Sequence, residues 1–369
     1  MLGTGVKLIR KDITEMHNNY ALILAGGRGT RFWPKSKKGF PKQFLSLDNK
    51  ESFLQITYNR IAKVLPEDNI YIVTTESQVN LIKEQLPKIS SHQIIIEPIG
   101  RNTCPAISLG MAYIQKKNSN SVVMVVPSDQ LIKDELTFVD KARKAFEYAR
   151  LHMSIVVFGI KPTSPHTGYG YIKTRRSSLE IQEVIAFVEK PQKETAQQYL
   201  SSGDYYWNGG MFVFSTAVFF AELKNRIPLL FDQMCTIQNA IGTEREILSI
   251  NNIYPQTNSI SIDYGIMEHA DKIMLIALDV GWNDVGSWSS LYEIMEIDEY
   301  GNNFQMADSV AVDSTNVIGF SNKLIAAVGV KDVVLVETDD VILLCHKDSA
   351  QKVKEVLDAL TAKGRDDLI

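Results

Sequence analysis

A glycine-rich loop followed by two obligate cations is the first part of this sequence whose residue types and order could do chemistry. The loop is Leu24-Ala25-Gly26-Gly27-Arg28-Gly29-Thr30-Arg31-Phe32-Trp33-Pro34, and Pro41-Lys42-Gln43-Phe44 comes soon after it. Glycines in a turn let backbone N–H groups approach phosphate oxygens with no Cβ in the way. Arg31 and Lys42 beside such a nest would neutralise β- and γ-phosphates and the charge that develops on a departing pyrophosphate. The run is not a P-loop, since no Gly-Lys-Ser/Thr follows, and its glycine spacing fails the dinucleotide fingerprint. The plainer alternative is a solvated basic loop around a tight turn, because Lys35, Lys37 and Lys38 lie between the two cations. Those three are expected at the surface, and Arg31 and Lys42 are expected to be functional.

The elements that must position this loop can be read from the hydrophobic pattern. Ala21–Leu24, Ile70–Thr74, Ile94–Ile96, Val122–Val126 and Ile155–Ile160 read as buried strands. In Phe138–Leu151 the apolar residues Phe138, Val139, Ala142, Ala145, Phe146 and Ala149 recur at close to helical spacing. Alternation of this kind predicts an α/β fold with a mostly parallel sheet covered on both faces. Such sheets bind ligands in the crevice beyond the carboxyl ends of their strands. After about residue 300 the rhythm changes. Short apolar runs begin near Val310, Val317, Leu324, Val333 and Val341, separated by Asp, Ser, Asn and Lys, which predicts a coil of short strands resembling a truncated β-helix. A last helix over Ala350–Ala362 places Val353, Val356, Leu357 and Leu360 on one face. The chain therefore divides into an N-terminal extension (1–19), a main domain (20–299) and a C-terminal module (300–369), the last a cap or oligomerisation element without catalytic residues of its own.

Composition narrows the function classes. The chain has 369 residues, with Lys plus Arg (39) close to Asp plus Glu (43), so no basic surplus points to a nucleic-acid partner. Apolar runs such as Val122–Pro127 are of strand length and too short to span a bilayer. The polar N-terminus has no signal-peptide core. Cys104, Cys235 and Cys345 are scattered and form no CxxC pair, which argues against a disulfide framework or zinc site and fits a reducing cytoplasm.

With these readings in place, the run LAGGRGTRFWPKS followed by PKQF resembles the signature of the mannose-1-phosphate guanylyltransferases, within the sugar nucleotidyltransferase superfamily. Supporting stretches occur in the family's order: EPIGRNTCPAI, VVPSDQ, TGYGYI, FVEKP, WNGGMF, SIDYGIME and GWNDVGSW. The resemblance covers nearly the whole chain from Tyr20 onward. It implies a Rossmann-like nucleotidyltransferase domain followed by a short left-handed β-helix. It also implies transfer of GMP from GTP to α-D-mannose 1-phosphate with release of pyrophosphate.

In that reaction a sugar phosphate oxygen attacks the α-phosphorus in line. The nucleophile is already anionic at neutral pH, so no general base or covalent intermediate is needed, and catalysis reduces to positioning two anions and neutralising their repulsion. Mg2+ takes hard oxygen ligands, typically one or two carboxylates with phosphates and water. Asp129, just beyond the strand Val122–Val126, and Asp284, after the run Ile273–Val280, are the carboxylates the resemblance assigns to it. From local sequence alone either would serve equally as a turn or helix cap. The phosphates fall to Ala25, Gly26, Gly27, Gly29 and Thr30.

The resemblance points to the loop of Glu97, Asn102 and Thr103 for base reading. A carboxylate can accept from guanine N1–H and its exocyclic amine together, and adenine offers no matching donors. Lys190 is implied as sugar-phosphate ligand and Glu189 as a hydroxyl ligand, the plain alternative being a structural Glu–Lys pair. Asn208 and the backbone at Gly168 and Gly170 are expected to hold the sugar ring. Trp207, Trp282 and Trp288 are expected mainly to pack.

Some positions depart from the family pattern. Gly209 stands where serine is usual, which removes a hydroxyl from the expected sugar pocket; Ser128 and Gln130 replace alanine and histidine, and Asn283 replaces serine. None removes a proposed charge. Longer relatives append a cupin-type isomerase domain that this chain is too short to hold, so a monofunctional enzyme is expected, working as a homodimer. The competing readings are a nucleotidyltransferase for glucose or heptose 1-phosphate, one using dTTP or ATP, and a regulatory paralogue that binds GDP-mannose without making it.

Overall fold

Every apolar run read as a buried strand is one. The computed structural model describes residues 18–27, 29–47, 50–305 and 308–369, so the expected extension, 1–19, lies outside the described residues except for its last two. The strands in chain order are β1 (Asn19–Leu24), β2 (Ile70–Thr75), β3 (Ile94–Glu97), β4 (Val122–Pro127), β5 (Ile155–Ile160), β6 (Tyr171–Thr174), β7 (Ile181–Val188), β8 (Tyr205–Ser215) and β9 (Ile273–Leu278). They form one nine-stranded sheet in the order β3-β2-β1-β4-β8-β5-β9-β7-β6.

The expected mostly parallel sheet is corrected here. β1, β2, β3 and β4 pair in parallel, as do β5 and β9. β8 runs antiparallel to β4, β5 and β6, and β7 runs antiparallel to β6 and β9. The connection from β6 to β7 is too short for the crossover that a parallel pair needs. The helix Glu135–His152 buries Phe138, Val139, Ala142, Ala145, Phe146 and Ala149, the face its spacing predicted. Asp134 caps it by accepting from the Thr137 backbone N–H at 3.0 Å.

By contact density the chain falls into two compact units. The first holds the chain up to Gly26, Tyr58–Ser128 and Ile132–Trp282; the second holds Gly27–Thr57, Asp129–Leu131 and Asn283–Ile369. The division expected at residue 300 runs along the chain, whereas the compact units cut across it. The first unit contains the nine-stranded sheet and a core that includes Leu22, Val73, Ile107, Val125, Val157 and Phe214.

The second unit contains β10 (Asn303–Gln305), β11 (Ser309–Val312), β12 (Thr315–Phe320), β13 (Ile325–Val328), β14 (Lys331–Glu337) and β15 (Ile342–His346). β10, β12 and β14 pair in parallel, and β11 pairs in parallel with β13, so successive short strands alternate between two sheets as in a coil. Asp313, between β11 and β12, and Asn316 and Asp332, second residues of β12 and β14, have positive φ, a conformation these short polar residues tolerate. β15 folds back antiparallel on β14 through the Thr338–Val341 turn. The last helix is Val353–Ala362, shorter than expected, and is preceded by a 3-10 turn over Lys347–Lys352. Val353 and Leu357 are buried, but Val356 is 39% exposed, so the predicted apolar face is narrower than read.

Candidate active site

In the second unit the glycine-rich loop from Gly27 onward rests on the turn that follows it. Gly29 has φ +57°, and a Cβ there would lie 2.3 Å from Lys42 Cβ and 2.8 Å from Lys42 N. Only glycine permits that approach in that conformation. Gln43 Nε2 donates to Gly27 O at 3.1 Å and Ser36 Oγ to Gly29 O at 2.7 Å, fixing the loop from both sides. Gly27, Thr30 and Arg31 are left exposed. Of the three intervening lysines expected at the surface, only Lys38 is exposed. Lys35 is half-buried with its ammonium over the Phe320 ring, and Lys37 pairs with Asp340 at 2.5 Å; nearby aromatic and acidic groups claim both.

Lys42 is the buried cation of this unit among the described residues, 4% exposed. Its ammonium donates to Asp129 Oδ2 at 3.0 Å and to the Asp284 backbone oxygen at 2.7 Å, beneath the rings of Phe32 and Phe53. The two aspartates, far apart in sequence, thus meet on one side chain. The cause is a short antiparallel bridge: Leu131 N donates to Asn283 O at 2.9 Å and Asn283 N to Leu131 O at 3.0 Å. Asn283, one of the departures from the family pattern, also accepts from Val285 N at 2.7 Å and donates to Glu293. It thereby supports Val285, a β-branched residue at φ 47° next to Asp284. Backbone strain of this kind persists only where its surroundings over-determine it, and it concentrates at functional sites. Gly286 N donates to Asp284 Oδ1 at 3.1 Å, which orients that carboxylate.

The first unit also holds two polar clusters. One is built on Glu97, 4% exposed, at the carboxyl end of β3. The Tyr254 hydroxyl donates to its Oε2, and a Cβ on Gly26 would lie 3.1 Å from its Oε1. Burial pushes the Glu97 carboxyl up to about 7, against the lowering effect of the Tyr254 and Arg101 hydrogen bonds. The sequence reading gave both carboxylate oxygens to a base; here one already accepts from Tyr254. Asn102 caps the helix Thr103–Lys117 from a positive φ of 69°, accepting from Thr103 N at 2.8 Å, while the Thr103 hydroxyl accepts from Ile262 N at 2.9 Å. Ala25 is committed to the sheet: its N–H donates to Val73 O at 2.8 Å, so that amide is not a phosphate donor.

The other cluster gathers Glu189, Lys190, Asn208 and Asp263. Lys190 pairs with Glu189 Oε1, so the structural Glu–Lys pair is real. Its setting is not that of an ordinary surface pair, because the Glu189 side chain is 9% exposed and its Oε2 has no hydrogen-bond partner among the described residues. Lys190 adopts φ 48°. Asn208 Nδ2 donates to Asp263 Oδ1 at 2.9 Å, and Asn208 N donates to Gly170 O at 2.8 Å. A Cβ on Gly170 would lie 2.3 Å from Glu189 Oε2, so a side chain here would displace that carboxylate. Burial first, and the neighbouring Glu189 second, push the Asp263 carboxyl up to about 6. Gly168 is exposed and its amide donates to His166 Nδ1 at 3.1 Å, so the amide expected to face a sugar is engaged locally. Gly209 lies where a Cβ would come within 2.9 Å of Phe158 O; its missing hydroxyl reflects the close approach of β5 and β8. Trp207 and Trp288 are buried as expected, and Trp282 is half-buried, edge-on to Tyr169.

Sequence reasoning missed two residues. Asp263 belongs to the SIDYGIME stretch, and its position in a π-helical turn, Asp263–Met267, is the kind of irregularity that marks functional sites. Tyr254 carried no sequence signal at all. Among the described residues no group of three or more His, Cys, Asp or Glu could hold a metal ion, and no helix is long and apolar enough to cross a membrane.

Known proteins share both parts of this architecture. A nucleotidyl transferase family model matches residues 20–300, and a MannoseP isomerase/GMP-like beta-helix domain model matches residues 307–360. The xanthan biosynthesis protein XanB of Xanthomonas campestris pv. campestris (strain B100) is 40% identical over 350 residues, covering 93% of this chain and 73% of that protein. The mannose-1-phosphate guanylyltransferase RfbM of Salmonella typhimurium is 38% identical over 354 residues, covering 94% and 73%. The crystal structure of a Thermus thermophilus protein, described as a mannose-1-phosphate geranyltransferase, matches with a TM-score of 0.85 at 30% identity. It covers 93% of this chain and 99% of its own.

Proposed function

Because the chain belongs to the nucleotidyl transferase family, in the group of the mannose-1-phosphate guanylyltransferases, we propose that it transfers GMP from GTP to α-D-mannose 1-phosphate, giving GDP-mannose and pyrophosphate. The observation that carries this reading is the buried Lys42 ammonium, held on the Asp129 carboxylate and the Asp284 carbonyl beside a glycine-rich loop. A fixed cation next to backbone donors suits a reaction in which anions must be brought together and pyrophosphate must leave.

Each group then has a task. Gly27, Gly29 and Thr30 offer backbone to the triphosphate, with Arg31 as a solvent-facing cation. Lys42 neutralises charge as pyrophosphate departs. Glu97, Asn102 and Thr103 read the base, and Glu189, Lys190, Asn208, Asp263 and Gly170 bind the sugar phosphate. Asp129 and Asp284 are hard oxygen donors and fit Mg2+, whose remaining ligands would be phosphates and water. The ion supplies Lewis-acid neutralisation of the phosphates when bound. We further take the coil of β10–β14 to be left-handed, as the family resemblance implies, and the chain to act as a homodimer in the cytoplasm. Exposed valines on β11 and β13 (Val310, Val312, Val328) support an association surface, and three free cysteines fit a reducing compartment.

The test is pyrophosphate release across a panel of GTP, ATP and dTTP with mannose, glucose and heptose 1-phosphates. The expected result is preference for GTP with mannose 1-phosphate; preference for ATP or dTTP would defeat the guanylyl assignment, and product binding without turnover would defeat the enzyme assignment.

Individual side chains give two sharper tests. Asp284→Asn removes a carboxylate charge but keeps the backbone oxygen that receives Lys42, so the Mg2+ concentration at half-maximal rate should rise about tenfold or more. An identical metal titration would count against coordination there. Glu97 must be ionised to accept from guanine, so KM for GTP should fall as pH rises through about 7, and Glu97→Gln should abolish that dependence. The same proton has the opposite effect on stability. A carboxyl raised to about 7 in the fold binds protons that the unfolded chain has already released above the ordinary value of 4.5. Its stabilising contribution is complete below 4.5 and is lost as pH rises to 7. Thermal melts and KM profiles over this range check both signs.

A further inference from the structure

The first unit contains a cavity of about 790 Å³ that none of these roles uses. Its size falls in the ~300–1,000 Å³ range typical of small-molecule sites. One wall is β3 and the residue after it, through Ile94, Ile96 and Pro98; the other is the helix Glu246–Ile253, through Ile247 and Ile250. Tyr71 and Tyr113 add aromatic surface. The rim is polar and carries His92, Lys116 and Lys117, set against Glu76 and Glu246. Glu246 is already satisfied, accepting from the Tyr113 hydroxyl at 2.6 Å and from Gly242 N at 2.7 Å. Lys117 is turned to the Tyr71 hydroxyl at 3.0 Å. Lys116, exposed in the last turn of its helix, is the cation best placed to meet an incoming group.

The two walls are the segments that hold Glu97. β3 ends in Glu97, and the helix Glu246–Ile253 runs directly into Tyr254. They are stitched together by two hydrogen bonds, from the Tyr254 hydroxyl to Glu97 and from the Arg101 guanidinium to Pro255 O. A molecule wedged between the walls acts on their separation and hence on those bonds. We propose that this cavity is a second ligand site, for a small molecule with a flat apolar body and one anionic group, and that its occupancy adjusts nucleotide binding through Glu97 and Tyr254. The binding half stands on the cavity alone; the coupling half rests on the assignment of Glu97 to the base.

The probe is 8-anilinonaphthalene-1-sulfonate, an apolar ring system with one sulfonate, titrated into the full chain by fluorescence. Lys116→Glu reverses the rim charge, and Ile247→Asp puts a charge on the apolar wall; Ile247 is 74% exposed, so both variants should keep the wild-type melt and basal activity. The expected result is one probe per chain, with affinity at least tenfold weaker in each variant. The probe should also shift KM for GTP severalfold and leave KM for the sugar phosphate unchanged, and Tyr254→Phe should still bind the probe but lose the shift. Unchanged affinity in both variants, or displacement of the probe by GTP in simple competition, overturns the site. Binding that meets the first criteria but moves neither KM, or moves both equally, overturns the coupling. Should the panel reject GTP, the fluorescence titration still decides the binding half.

Discussion

Replacing Lys42 by alanine should lower kcat by roughly 100- to 1,000-fold, the loss that follows removal of one preorganised charge-stabilising donor. The ammonium is 4% exposed and held at two points, so its position does not have to be found during the reaction. Alanine also removes a buried aliphatic stem and the ammonium held over the Phe32 and Phe53 rings, and some loss of melting temperature is expected from that alone. Lys42→Met separates the effects: it keeps most of the stem, so it should melt closer to wild type than Lys42→Ala while showing the same kinetic defect. A Met variant with wild-type kcat/KM would show that charge at this position is dispensable.

Gly29→Ala is expected to have the second-largest effect, although it adds only a methyl group. The residue is left-handed, and the new Cβ would fall 2.3 Å from Lys42 Cβ and 2.8 Å from Lys42 N. The second of these is backbone, so no side-chain rotation relieves the contact. Loop and lysine must separate, and a displacement of ~1 Å at a catalytic group costs up to ~100-fold in rate. The left-handed backbone adds about 1 kcal/mol of strain. If the damage passes through Lys42, the double variant Gly29→Ala/Lys42→Ala should be scarcely slower than Lys42→Ala alone. Full additivity would mean that the glycine acts on something else.

What could be read from the sequence was mainly what local periodicity and residue chemistry encode. The buried strands announced themselves as apolar runs, and the helix over Glu135–His152 showed its buried face residue by residue. The pairing of β8 was not legible, because the direction of a strand depends on partners far away in the chain. The site showed the same split. Lys42, Asp129 and Asp284 could be picked out as charged residues at element ends, but their meeting depends on the Leu131–Asn283 bridge, which no local pattern records. Backbone amides were the weakest expectation. Ala25 and Gly168 have suitable residue types, yet Val73 and His166 take their N–H groups. Tyr254 reaches Glu97 across a long sequence separation and looks like any other core tyrosine until the fold brings them together.

The tilted packing of Phe32 against Trp288 and of Trp288 against Phe320 has a meaning for how this enzyme class can be dissected. Trp33 donates its indole N–H to Leu368 O at 2.7 Å, so the floor under the glycine-rich loop is laid by nearly the last residues of the chain. None of the proposed ligands lies in the terminal coil, yet the coil is masonry for them. A stop codon near residue 300 would leave every proposed ligand encoded and still strip the loop of its foundation, so mutational drift in the coil is answerable to the rate of the reaction.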